Sequence, residues 1–164
     1  MDLAYGGLTP FPKGFKNPKR FNSFNFGFYM KVLGIDFGTK RVGLAISDPD
    51  QIFAFPYKVM ERTTRDVMFS ELLEIIENEK VGDIVIGLPL SLDGEDTLTT
   101  RQVRNFAASL ERRVDLPIHL VDERLSSIAA EDELKEAGLW DRKRKKNLDS
   151  QAAKIILETW LARA

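Results

Sequence analysis

Residues 32–47 read Val-Leu-Gly-Ile-Asp-Phe-Gly-Thr-Lys-Arg-Val-Gly-Leu-Ala-Ile-Ser. Two apolar runs flank a short polar turn that contains Gly38. Short apolar runs rich in branched side chains read as buried strands, and a glycine turn between two of them reads as a hairpin. The first strand is expected over 32–36, the turn over 37–40 and the second strand over 41–47. Asp36 breaks the apolar series where the first strand ends. A carboxylate at the edge of a core is costly unless it is paired or bound to a cation.

Downstream of this hairpin the periodicity changes. Asp48-Pro49-Asp50 marks a turn, and residues 57–60 suit a third strand. Met68, Phe69, Leu72, Leu73 and Ile76 recur at helical spacing, which predicts a helix over 65–78. A buried strand over 83–88 ends at Pro89, and a polar loop over 91–96 carries Gly94. Val103, Phe106, Ala107 and Leu110 place a helix over 99–112. Pro117 precedes a strand over 118–121, and Gly138 stops a helix over 126–137. A last helix is expected over 148–162. The order β-β-β-α-β-α-β-α-α predicts an α/β fold, with a mixed sheet of an antiparallel hairpin plus parallel strands, flanked by helices. In such sheets functional groups collect at the carboxyl ends of the parallel strands.

Composition narrows the chemistry. The chain has no cysteine, which excludes disulfides and thiolate metal sites, and it has one histidine, His119. A metal would need oxygen ligands or His119, and oxygen ligands favour Mg²⁺ or Mn²⁺ over Zn²⁺. His119 alternates with apolar residues in its strand and offers no catalytic triad. No apolar run approaches the roughly 18 residues of a membrane span, so no membrane partner is expected. The expected location is the cytoplasm.

Residues 1–29 differ from the rest. They hold eight of the sixteen aromatic residues among Gly, Pro, Asn and Lys, and four basic residues against one acid. Pro10, Pro12 and Pro18 break any regular period, and no signal-peptide apolar region is present. The expectation is a disordered or non-native extension, followed by one domain over 30–164.

Three acids stand out by position. Asp36 and Glu123 each follow an apolar strand, and Asp122 stands beside Glu123. Asp149 precedes Ala152, Ala153, Ile156 and Trp160 at spacings that put it on the core-facing stripe of the last helix, in its expected first turn. Singly, each is most simply a solvated strand end or a helix-dipole partner. Together they make a converging carboxylate set, which repels itself unless a divalent ion sits among the oxygens. Such sets serve two-metal phosphodiester hydrolysis.

The run Arg142-Lys143-Arg144-Lys145-Lys146 just precedes Asp149. A charge run alone is most often a solvated face. Beside an acidic metal site, it suits the phosphate backbone that is being cut. Lys40, Arg41, Arg101 and Arg104 extend the candidate nucleic-acid surface.

Gly34-Ile35-Asp36-Phe37-Gly38-Thr39-Lys40 also resembles the first phosphate loop of actin-like sugar kinases and chaperone ATPases. Those proteins close two such domains around ATP, and 164 residues hold only one.

Several landmarks in order carry a closer resemblance. They are residues 34–45; Gly87-Leu88-Pro89 with Gly94; Asp122-Glu123-Arg124-Leu125-Ser126-Ser127; the basic run over 142–146; and Asp149 before Ala152-Ala153. From Met30 onward the chain resembles the YqgF family, described as Holliday junction resolvases and as nucleases that mature the 5′ end of 16S ribosomal RNA. The resemblance implies a ribonuclease H-like fold and a divalent-metal nuclease whose acidic set is Asp36, Glu123 and Asp149, with Asp122 as a candidate helper. The implied partner is pre-16S rRNA in a ribosomal particle, or branched DNA. A two-fold DNA junction favours a homodimer, whereas trimming an RNA end is open to a monomer. A binding module of ribosome assembly without catalysis is the non-enzymatic alternative.

Overall fold

The computed structural model describes residues 30–124 and 145–163, with the side chains of 145–147 excepted. The extension over 1–29, the expected helix over 126–137, and Arg142, Lys143 and Arg144 lie outside the described residues.

Five strands form one sheet: β1 (Lys31–Phe37), β2 (Arg41–Ser47), β3 (Ala54–Glu61), β4 (Val81–Leu88) and β5 (Ile118–Asp122). Their spatial order is β3-β2-β1-β4-β5. The pairs β1–β2 and β2–β3 are antiparallel, whereas β1–β4 and β4–β5 are parallel. This is the mixed sheet that the element order predicts. Its parallel core puts the carboxyl ends of β1, β4 and β5 at one edge, and Asp36 and Glu123 lie there.

Two helical layers cover the sheet. Helices α1 (Arg65–Asn78) and α2 (Leu98–Glu111) take one face. There Leu33, Ile35, Leu44, Ile84 and Ile86 pack with Met68, Phe69, Leu72, Val103, Phe106 and Leu110. Helix α3 (Lys145–Leu161) takes the other face, where Val32, Ala45, Val85 and Val121 meet Ala153, Ile156 and Leu157. Alternation along a strand sends odd and even residues to opposite faces. Leu33, Ile35 and Phe37 therefore face α1 and α2, and Val32, Gly34 and Asp36 face α3.

Local chemistry sets the helix starts. Thr64 caps α1 by accepting the Val67 N–H at 3.3 Å. Thr97 and Thr100 form a reciprocal capping box on α2. Caps of this kind are worth about 1 kcal/mol each.

The observed bounds of β2 and α1 are those expected. Strand β1 is one residue longer at each end. Strand β3 begins at Ala54, three residues early, and holds Pro56 where its register with β2 shifts. Proline is tolerated there because β3 is an edge strand. Helix α3 is already formed at Lys145, three residues before its expected start. Lys145, Lys146 and Asn147 contribute nothing to the apolar period, so periodicity finds the helix only at Leu148. Asp149 consequently sits at least one full turn into α3, not in its first turn. The helix dipole, which acts mainly on the terminal turn, is a lesser part of its environment than expected.

Candidate active site

The site is built where α3 presses on the sheet. Asp36 lies opposite Gly43 in the β1–β2 register, so the two share the α3 face. A Cβ placed on Gly43 would sit 1.9 Å from the backbone oxygen of Asp149. One on Gly34 would meet the Ala153 oxygen at 2.9 Å and Leu157 Cβ at 2.8 Å. Only glycine at these two positions lets the helix backbone lie so close. That approach brings Asp149 over the end of β1 and β2, next to Asp36.

Glu123 arrives by strand parity. Its N–H donates to the Leu88 oxygen at 3.1 Å, extending the β4–β5 ladder past Asp122. Val121 packs towards α3, and Glu123 is two residues on, so it turns to the same face. A Cβ on Gly87 would lie 2.1 Å from Glu123 Oε1. The carboxylate thus rests on the bare backbone of β4.

Asp122 does something different. It accepts from Arg124 Nε at 2.9–3.0 Å and from Arg124 Nη2 at 2.5 Å. The Arg124 guanidinium and backbone N–H hold its carboxyl below the usual range. Asp122 is committed to a structural pair, and Glu123 is the member of the two that joins Asp36.

The electrostatics agree. Burial, and then the nearby Asp149 carboxylate, raises the Asp36 pKa to about 6. Burial, followed by Asp36 and Asp122, raises Glu123 to about 7. Burial also raises Asp149; Arg41 opposes this and Glu61 adds to it. Asp36 is therefore the centre of the set, coupled to both other acids. Arg41 Nε stands 3.8 Å from Asp149 Oδ2, a long contact that only partly offsets its charge. Among the described residues, no three acidic or histidine side chains are already gathered at metal-ligand spacing.

The remaining candidates scatter. Lys40 is exposed in the turn beside Asp36. Lys145 and Lys146 start the described part of α3, two turns or fewer from Asp149. Arg101 and Arg104 belong to α2, the layer across the sheet, and Arg104 pairs with Asp96 at 3.1 Å. His119 lies 2.9 Å from the buried Asp83 and against Trp160, a structural pair within the α3 face. Glu61 was not a candidate by sequence; it reaches the site only through its register opposite Arg41. Nor did the sequence reveal that Gly43 and Gly87 are contact points. Isolated glycines inside strand patterns were the available signal.

The mixed sheet with helices on both faces is a ribonuclease H-like fold. Two solved structures share the architecture. RuvC of T. thermophilus bound to a Holliday junction substrate aligns with a TM-score of 0.54 at 15% identity, over 82% of this chain and 95% of that one. A Thermus thermophilus RuvC structure gives 0.51 at 14% identity, over 82% of this chain and 96% of that one. These likenesses concern the fold. A family model described as "RuvX: Holliday junction resolvase" matches residues 30–163, and the chain belongs to that family. A protein of Maridesulfovibrio salexigens named "Putative pre-16S rRNA nuclease" is 98% identical over 135 residues, 82% of this chain and 100% of that protein. A protein of the same name from Oleidesulfovibrio alaskensis is 52% identical over 132 residues, 80% of this chain and 92% of that one. The family and these relatives make the chain a hydrolase of phosphodiester bonds.

Two glycine variants should separate packing from chemistry. Gly43→Ala sets a methyl against helix backbone, which cannot yield cheaply, and should lower stability by about 1–3 kcal/mol or more in a denaturant melt. Gly87→Ala meets only side-chain ends, Glu123 Oε1 and Ile156 Cδ1. It should fold nearly as well but lose most nuclease activity; full activity would show that the seat of Glu123 is unimportant.

The raised acids also predict a pH trend. In metal-free protein Asp36 and Glu123 hold protons, between about pH 4 and 7, that they would release on unfolding. Their contribution to stability is present below the unfolded carboxylate range and is lost as pH rises through 6 and 7. The melting temperature of wild type should fall more steeply across that window than that of Asp36→Asn. Parallel curves would contradict the raised values.

Proposed function

We propose that the chain is a metal-dependent endonuclease that matures the 5′ end of pre-16S ribosomal RNA in the cytoplasm, with residues 30–164 as the catalytic domain. The observation that carries the reading is the half-buried pair Asp36 and Glu123 on one face, with Asp149 facing them from α3. The names of the relatives supply the substrate.

The donor set fits a hard divalent cation. All three groups are carboxylates, two of them desolvated and mutually repelled, and a cation would relieve both costs. Asp36, Glu123 and Asp149 would hold Mg²⁺ or Mn²⁺. Such ions supply an activated water and stabilise the charge on the phosphate and the leaving oxygen.

The chain's own residues do the rest. Asp36 near the end of β1 and Glu123 just past β5 project from the ordered sheet edge towards one face. Arg41, 3.8 Å from Asp149, partly offsets its charge. Lys40, Arg41 and the run from Arg142 to Lys146 are proposed to bind backbone phosphates flanking the cut. Arg101 and Arg104, across the sheet, would meet only a strand that passes around the sheet edge.

The family description favours a second reading, cleavage of four-way DNA junctions. A direct comparison tests both. A 16S precursor within its ribosomal particle and a four-way DNA junction are incubated with Mn²⁺, with Mg²⁺ or with chelator. The expected result is metal-dependent cutting of the RNA, lost in Asp149→Asn. Cutting of the junction alone would transfer the assignment to the second reading, and RNA binding without any cleavage would favour a non-catalytic assembly role.

A further inference from the structure

On the far side of β1 from Asp36, the start of α1 and the exposed side of α2 line an open cleft of about 320 Å³. Its floor is aromatic. Phe37 and Phe106 stack with ring centroids 4.2 Å apart, and Phe69 stacks on Phe106 at 5.6 Å. Its walls are rich in hydrogen-bond donors: Arg62, Arg65, Gln102 and Asn105, with hydroxyl groups of Thr63, Thr64 and Ser109. Among the described residues, no acidic side chain lines it.

The two arginines are held in place with donors to spare. Arg62 lies 4.3 Å over the Phe37 ring, and its Nη1 donates to the Gly38 and Thr39 oxygens at 2.8 and 3.1 Å. Arg65 lies over Phe69 and donates through Nη2 to Ser109 Oγ at 2.5 Å. In each case no acceptor among the described residues takes the other guanidinium N–H groups. Arg113, 4.1 Å over Phe69, adds a third cation beside the floor. The first-turn N–H groups of α1 add partial positive charge on the same side. Asp66, the acid of that turn, is exposed and does not line the cavity.

Positive, planar, pre-positioned donors without a nearby carboxylate suit an oxyanion with several oxygens. We propose that the α1–α2 cleft is a phosphate-binding site, taking the phosphoryl group of a nucleotide. Its volume exceeds that of phosphate alone and leaves room for part of the attached sugar. Phe37 connects it to the acids, since it is one residue from Asp36 and turned to the opposite face. Arg62 also grips the turn after Asp36. A strand lying on the acids can pass over Lys40 in that turn and place a neighbouring phosphate in the cleft. This role in substrate binding rests on the nuclease reading, whereas phosphate binding itself does not.

The test uses the full chain in chelator, so that catalysis plays no part. Inorganic phosphate is titrated while the side-chain N–H resonances of arginine, glutamine and asparagine are followed by NMR. Saturable shifts of Arg62, Arg65 and Asn105 are expected. Asn105→Glu, which puts a carboxylate on the exposed rim, should weaken binding about tenfold or more, with an unchanged melting temperature. Arg65→Gln should weaken it in the same direction. Shifts confined to other basic residues, or wild-type affinity in both variants, would overturn the proposal. An oligonucleotide with a 5′ phosphate, the same strand without it, and a free mononucleotide then identify the source. Preference for the phosphorylated end assigns a terminal phosphate, equal binding of both strands assigns an internal one, and the mononucleotide alone assigns a free ligand. Failure of all three to shift the cleft residues would overturn the nucleotide part.

Discussion

Everything at the acidic site depends on how closely α3 can lie on the sheet. A side chain at Gly34 or Gly43 would hold the helix off by its own bulk. With both bare, Ala153 and Leu157 settle on β1, and the backbone at Asp149 touches β2. Asp149 is thereby placed by backbone contact between α3 and β2, not by a helix held off at a distance. Interiors packed this tightly resist small shifts, so the position of Asp149 is well defined.

That packing brings an electrostatic cost. Burial and mutual repulsion lift Asp36 to about 6 and Glu123 to about 7, each well above an ordinary carboxyl. A protein selected only for stability would place apolar groups or a tight ion pair there. Among the described residues, Arg41 stands 3.8 Å from Asp149 and only partly offsets its charge. By contrast, Asp122 and Arg124 nearby form a close pair of the ordinary stabilising kind. Two adjacent acids thus follow opposite physical rules, and strand parity decides which is which.

Much of this was legible in the sequence. The hairpin over 32–47 and the helix over 65–78 follow from apolar period and turn chemistry, and both appear with nearly the expected ends. Asp36 and Glu123 announced themselves as acids closing apolar strands. Asp149 was placed on the correct face of its helix but in the wrong turn, because Lys145–Asn147 carry no apolar signal. Strand β3 was undersized because an edge strand has little buried pattern to read. The basic candidates on α2 fell on the other layer, since charge alone does not say which side of a sheet a helix covers. Contacts between distant segments were invisible throughout. Glu61 opposite Arg41, Glu123 on Gly87, and the arginine-walled cleft between α1 and α2 all arise from tertiary proximity.

The central claim is that these three carboxylates form one cation site. Isothermal titration of Mn²⁺ into metal-free protein at pH 8, where Asp36 and Glu123 are ionised, tests it without a substrate. The account predicts saturable binding that Asp36→Asn and Glu123→Gln each weaken at least about tenfold, while Asp122→Asn leaves it nearly unchanged. Equal Mn²⁺ affinity in wild type and both site variants would contradict it.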